Sequence, residues 1–351
     1  DTPTWDQLVL GSTGNVLGKF RFAADSAEDI TLTKLVLSNK MKRDGAAGAN
    51  LAGTGTLRNL SLWDGSTQVG ATVSTLTDDG TINSTVPYAV FSGLSWTVPR
   101  NNAKTLTVKA DLSSFDDGGL ASSTARLALL VNYASSAVTG YPGVEARGGS
   151  SGATMLSTSD SVDLTGATDI SINLNYFDAL KTKLSLAYAA DAPSGLSAAA
   201  SEQTVAKWVV SNAANVGNYT ALVRAMNFTV SSAGASMSTQ STLKVYKDSI
   251  TTGNQLASSN YCSGASACGG ANYVNSTLAE GDFTDFYIAA GSSVPVIVTL
   301  GTSGSGFSSN ETLTVGLAAG QITWSDDAYA SSLATLTMVS SLPLAGKTLY
   351  Y

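Results

Sequence analysis

The sequence contains no histidine and only two cysteines in 351 residues. It therefore lacks the side chain that most often serves as a general base near neutral pH, and the commonest metal ligand. Two thiols without histidine leave almost nothing from which to build a zinc site. Charge is scarce as well: 13% of residues are Asp, Glu, Lys or Arg, and the formal net charge is -7. With a pI of about 4.6, the chain repels a phosphate backbone, and nucleic acid is excluded as an expected partner. No apolar run reaches the roughly 18 residues that signal a membrane-spanning helix. The start also lacks the basic-then-apolar order of a retained signal peptide, so the expectation is a secreted chain whose Asp1 follows a removed leader.

What the chain has in abundance is Ser and Thr, about a quarter of the residues, together with 34 Gly. Small hydroxyl and β-branched residues suit pleated surfaces and compete poorly in helices. A mean hydropathy of +0.12 with little charge argues against disorder. The strong periodicities are all two, bounded by Gly, Asn, Asp and Ser clusters, which reads as strands and turns. Helix is expected for at most a turn or two, near residues 194–205.

The length allows two domains of roughly 150 residues, and the apolar pattern occurs twice. Trp96 and Val98 match Phe286 and Ile288 at an offset of 190, while Leu106, Val108, Ala110 and Leu112 match Val294, Val296, Val298 and Leu300 at 188. The connection in the second hairpin is thus expected to be two residues shorter. In the same order, Gly18-Lys19-Phe20 resembles Ala206-Lys207-Trp208, Leu60 to Trp63 resembles Leu243 to Tyr246, and Leu127, Leu129 and Val131 resemble Leu313, Val315 and Leu317. Leu164 to Thr168 resembles Leu344 to Thr348. A shared irregularity joins these matches. The positions Ile30, Leu32, Leu35 and Leu37 slip by one residue where Ala221, Val223, Met226 and Phe228 slip too, as a β-bulge would require. The expected architecture is all-β: two tandem antiparallel β-sandwiches of immunoglobulin-like type from an internal duplication, residues 1–168 and 169–351.

Cys262 and Cys268 stand five residues apart in a Gly/Ser-rich segment of the second half. That spacing fits a small disulfide loop in an oxidising setting, with two free thiols as the alternative. Asn-x-Ser/Thr triplets occur at Asn59, Asn83, Asn218, Asn227, Asn275 and Asn310. Asn83, Asn275 and Asn310 lie in turn-like stretches and are the better N-glycosylation candidates. Acidic clusters are the only residues left for catalysis, and a glycosidase needs two carboxyl groups about 5 to 9.5 Å apart across a sugar. Adjacent Asp residues before Gly serve turns more often than chemistry, so no enzyme and no cofactor are expected. Asp78, Asp79, Asp116 and Asp117 are weak Ca²⁺ candidates.

The pattern "VLGKFRF…EDITLTKLVL…LSLWDGSTQVG…FSGLSWTVP…KTLTVKADL", with the ending "LPLAGKTLYY", resembles the repeated immunoglobulin-like modules of large secreted surface proteins from uncultivated bacteria. The resemblance implies an extracellular, cell-surface location and a filament, tube or S-layer-like lattice; it carries no functional residue across. The expected function is a structural subunit of a self-assembling homopolymer, joined by β-strand addition. Trp5, Leu8 and Leu10 in an N-terminal strand donated to a neighbour, and Leu349 and Tyr351 at the other end, are the candidate assembly contacts. A cell-surface adhesin or carbohydrate-binding module with glycan partners is the alternative.

Overall fold

The computed structural model describes residues 6–39, 55–77, 88–121, 123–130, 143–156, 171–233, 241–261, 275–276, 283–303 and 311–351. Apart from a single 3-10 turn at Thr252–Asn254, the regular structure among these residues is strand. The chain divides into two compact units, Asp1–Lys181 and Thr182–Tyr351.

The first unit contains β1 (Asp6–Val9), β2 (Asn15–Ala23), β3 (Ile30–Asn39), β4 (Leu57–Asp64), β5 (Thr67–Thr75), β6 (Tyr88–Val98), β7 (Ala103–Leu112), β8 (Ser123–Leu130), β9 (Val144–Gly148), β10 (Thr154–Leu156) and β11 (Ser171–Leu180). One sheet runs β1-β11-β8-β3-β9-β10, with β6 also paired to β3, and the other runs β2-β7-β4-β5. Alternation sends one face of each sheet inward. Leu17, Phe20, Leu60, Leu62, Leu106 and Val108 of the smaller sheet share a core with Leu35, Leu37, Phe91, Trp96, Leu174 and Phe177 of the larger. The sheets approach closely at Gly18, where an added Cβ would lie 2.2 Å from Leu174 Cδ1.

The second unit contains β12 (Leu184–Tyr188), β13 (Gly195–Leu196), β14 (Gln203–Asn212), β15 (Ala221–Met226), β16 (Phe228–Ala233), β17 (Ser241–Lys247), β18 (Gln255–Tyr261), β19 (Asn275–Ser276), β20 (Phe286–Ile288), β21 (Ser293–Leu300), β22 (Thr312–Leu317), β23 (Ile322–Ser325) and β24 (Leu344–Tyr350). Its sheets run β12-β14-β21-β17-β18, β13-β24-β22-β16-β19 and β20-β15-β23. Trp208 of β14 and Phe228 of β16, both fully buried, stack at 5.4 Å and 11°. This aromatic pair ties the first two sheets across the core.

The two units repeat one ladder. In the first, β2 pairs with β7 with Leu17 as an extra residue between Val16 and Gly18; in the second, β14 pairs with β21 with Val205 extra between Thr204 and Ala206. Leu62 faces Val108 as Val245 faces Val298. Thr33 is extra where β3 meets β9, and Arg224 is extra where β15 meets β23. The last strands also correspond: Ala125 faces Phe177 as Leu313 faces Leu349. Each last strand has a strand beside it in parallel: β1 in the first unit, with Asp6 opposite Phe177, and β13, the second strand of its unit, with Gly195 opposite Leu349. All other strand pairs are antiparallel.

Several expectations need correction. The second hairpin is not shorter, because Asn102 N–H bonds Pro99 O as Ser292 N–H bonds Ala289 O. The same left-handed position is taken by Asn101 (φ 56°) and Gly291 (φ 69°). Val108 therefore corresponds to Val298, two residues beyond the sequence match. β8 shifts likewise: Asn39 faces Leu127 where Val230 faces Val315. Leu164 to Thr168 lies outside the described residues, and the first-unit counterpart of the closing strand β24 is β11. Since β11 is seated between β1 and β8, the first unit extends past residue 168 to Lys181. Residues 194–205 form no helix; they carry β13 and the start of β14.

Candidate functional site

Of the expected assembly residues, Trp5 lies outside the described residues. Leu10 is buried and Leu8 packs half-buried against the first core. The N-terminal strand thus completes its own sheet, beside β11. Leu349 is buried, and the Tyr351 hydroxyl donates to Gln203 Oε1 at 2.6 Å, with burial pushing its pKa up. Cys262, Cys268, Asn83, Asn310, Asp78 and Asp79 lie outside the described residues. Asn275 lies on β19, opposite Thr229.

Asp116 and Asp117 sit in a tight turn. Ser114 Oγ donates to Asp117 Oδ2 at 2.6 Å, and Asp117 N–H returns a bond to Ser114 Oγ at 3.1 Å. Gly118 takes a φ of 88° there, which suits glycine. The Asp25-Glu28-Asp29 cluster also fastens loops. Glu28 accepts from the Ser150 and Ser151 amides and the Ser151 hydroxyl; the Ser151 bonds above all hold its carboxyl below the usual value. Among the described residues, no three Asp, Glu, Cys or His side chains gather as a metal site would require.

Each unit has a charged cluster that joins neighbouring strands. In the first, Asp64 takes Lys104 Nζ at 2.5 Å and Trp96 Nε1 at 2.9 Å. Lys104 also lies 4.9 Å from the Trp96 ring centre. These bonds, Lys104 first, lower the Asp64 pKa. In the second, Glu202 takes the Tyr246 hydroxyl at 2.6 Å, Thr299 Oγ1 at 3.0 Å and Lys244 at 3.3 Å. Its pKa is lowered too, chiefly by Tyr246. Both clusters fix strands through satisfied polar groups rather than opening a cleft.

The large exposed apolar side chains concentrate in the second unit. Leu196 is 94% exposed beside Tyr350, and Tyr287 and Tyr329 stack in solvent at 6.1 Å and 10°. Sequence reading missed this pair, although Tyr287 alternates with inward Phe286 and Ile288 and had to point out. Trp208 and Trp324 are fully buried and Trp96 nearly so, which leaves Trp63, half-buried under Lys109 at 4.3 Å.

The β2 and β14 edges differ. β14 is covered by β12, with Leu184 opposite Asn212 and Tyr188 opposite Trp208. Among the described residues β2, its counterpart, pairs with β7 alone. A shallow recess of about 460 Å³ spans the end of the β2–β7 ladder, lined by Arg21, Ala23 and Ala24 on one side and Asn101, Asn102 and Ala103 on the other.

No family model matches the chain, and no curated protein matches it. Among solved structures, a mutant of the CFA/I enterotoxigenic E. coli adhesin CfaE is similar at 8% identity and a TM-score of 0.21, over 99% of this chain and 97% of that one. A marsupial T cell receptor is similar at 11% identity and a TM-score of 0.14, over 95% of this chain and 72% of that one. Such low scores leave the description of this chain to its own geometry: an all-β protein in which no helix of the described residues is long and apolar enough to cross a membrane.

Proposed function

We propose that the chain is a non-catalytic structural subunit of an extracellular polymer made of its own copies. The observation that carries this reading is one ladder built twice with unlike surfaces. Among the described residues, the second unit presents Leu196, Tyr287, Tyr329 and Tyr350 to solvent, while the first exposes fewer large apolar side chains, Val16 and Phe115, and leaves the β2 edge uncovered. A subunit with two unlike contact faces builds open chains, because a head-to-tail contact closes only for particular rotations. Negative-stain electron microscopy of the concentrated, purified chain tests this. Regular filaments, tubes or sheets are expected, and monodisperse particles at every concentration would refute it.

A second reading draws on the stacked Tyr287 and Tyr329 pair. Flat aromatic faces in solvent suit the apolar face of a sugar ring, which favours glycan adhesion by the same surface. A glycan array separates the two: binding abolished by Tyr329→Ser supports adhesion, and an empty array removes it.

A further inference from the structure

β12 of the second unit has no counterpart among the described residues of the first, and that difference locates a docking edge. In the second unit, Ala213 N–H bonds Lys183 O and Ala189 N–H bonds Lys207 O. The alternate residues Lys207, Val209, Ser211 and Ala213 therefore turn their main-chain groups toward β12, while Asn212 N–H points the other way, to Ser292 O. The first unit has the same phase, since Ala24 N–H bonds Asn102 O. By alternation, Arg21 and Ala23 present their amides and carbonyls outward, where Val209 and Ser211 meet β12.

The side chains point to the same vacancy. β12 sets Leu184 and Leu186, both buried, beside the end of β14, with Leu186 opposite the fully buried Val210. Its counterpart Phe22 is only half-buried, in T-shaped contact with Trp96 at 5.6 Å. An edge with unpaired main-chain groups and a partly uncovered aromatic is a template for strand addition.

We propose that the β2 edge, Phe20 to Ala24, is an acceptor for an extended strand from a second copy of this chain, entering antiparallel as β12 does. Two observations argue for a second copy. Within the chain, the strand that covers the edge of one unit follows directly on the closing strand of the other, through Lys181 to Lys183 alone; a copy handing on a strand repeats the chain's own joint. Charge also agrees: Arg21 stands on the edge, on a chain whose net charge is -7. In the second unit Lys207 of β14 pairs at 2.5 Å with Asp191, just beyond β12. The incoming strand thus carries apolar residues at alternate positions, with a carboxylate following them.

This proposal rests on the assembly reading above, and the test separates the two. The full chain is followed by sedimentation velocity over a concentration series, alone and with a tenfold excess of a peptide of residues 181–191 as probe. Expected are assemblies that grow with concentration and shrink at least tenfold in mean mass with the peptide, not with its scrambled form. Arg21→Pro, which removes an outward donor and no bond to β7, should do the same, and Ala23→Pro serves if that variant misfolds. Hydrogen exchange on the unmodified chain needs no variant: the Arg21 and Ala23 amides should slow at least tenfold on assembly. Assemblies indifferent to peptide and substitution, with both amides unprotected, overturn the edge and leave the polymer standing. Peptide binding without self-association overturns the second copy as occupant. No assembly and no peptide binding overturn both readings.

Discussion

The first and second units solve one packing problem with different residues, and the places where they differ are instructive. Leu17 and Val205 fill the same bulge, both buried. Asn101 and Gly291 fill the same left-handed turn position. Where the second unit has Trp208 stacked on Phe228, the first has the smaller Phe20. At the uncovered edge the first unit has Ala24, and the second has Asn212, which donates to Tyr219 O at 3.0 Å and Ile288 O at 2.8 Å and accepts from Thr182. Backbone demands are conserved between the units, whereas the identity of the filler is free within the volume available.

The comparison can be broken most severely at its aromatic centre. Trp208→Ala should cost about 3 to 5 kcal/mol by emptying a closed site. Chemical denaturation should then show the second unit unfolding early while the first keeps its midpoint. Next in size is Asn212→Ala, which removes the side-chain donor from Ile288 O and leaves Tyr219 O and the Thr182 hydroxyl to their bonds with Asn215 and Ala213. A loss of about 2 to 3 kcal/mol is expected when buried groups lose such partners, with Ala24→Ser in the first unit as the mild counterpart.

A smaller effect should come from exchanging the residues that set the sheet approach. Gly18→Ala imports the residue found at Ala206 and meets Leu174, so a cost of about 1 to 3 kcal/mol is expected from overpacking. Adding Leu174→Val should recover part of it; a double variant no more stable than Gly18→Ala would mean that the contact is not the cause. The smallest effect concerns acid. Asp64 has a folded pKa below its unfolded value, so its contribution is present above about pH 4 and is lost as pH falls through the folded pKa. Asp64→Asn should flatten the acid limb of the first unit alone, read as a thermal midpoint between pH 5 and 2. Glu202, whose pKa is also lowered, keeps that limb in the second unit.

Much of this was readable from residue order. The alternation at Leu106, Val108 and Ala110, and the slip shared by Leu32–Leu35 and Val223–Met226, announced strands and bulges before any coordinates. Absolute register was not readable, because a shift of two residues leaves every side chain on its original face. That is why the hairpin and the β8 match each fell two residues short. The closing strand of the first unit escaped because the register shift between Asn173 and Tyr176 breaks its alternation. β12 escaped for the opposite reason: it has no counterpart among the described residues of the first unit, so repeat matching passed over it. The candidate edge is a main-chain property, and no residue type marks it.

The first and last described strands of the first unit run side by side in the same direction, Asp6–Val9 with Phe177–Leu180. In a parallel pair the chain enters at one end and leaves at the other, so a pull on the two ends slides the strands past one another. The bonds between them must then yield together instead of one by one, as they would in peeling. The first unit is therefore built to bear tension between β1 and β11, the load that a thread anchored at one end and tugged at the other would place on it.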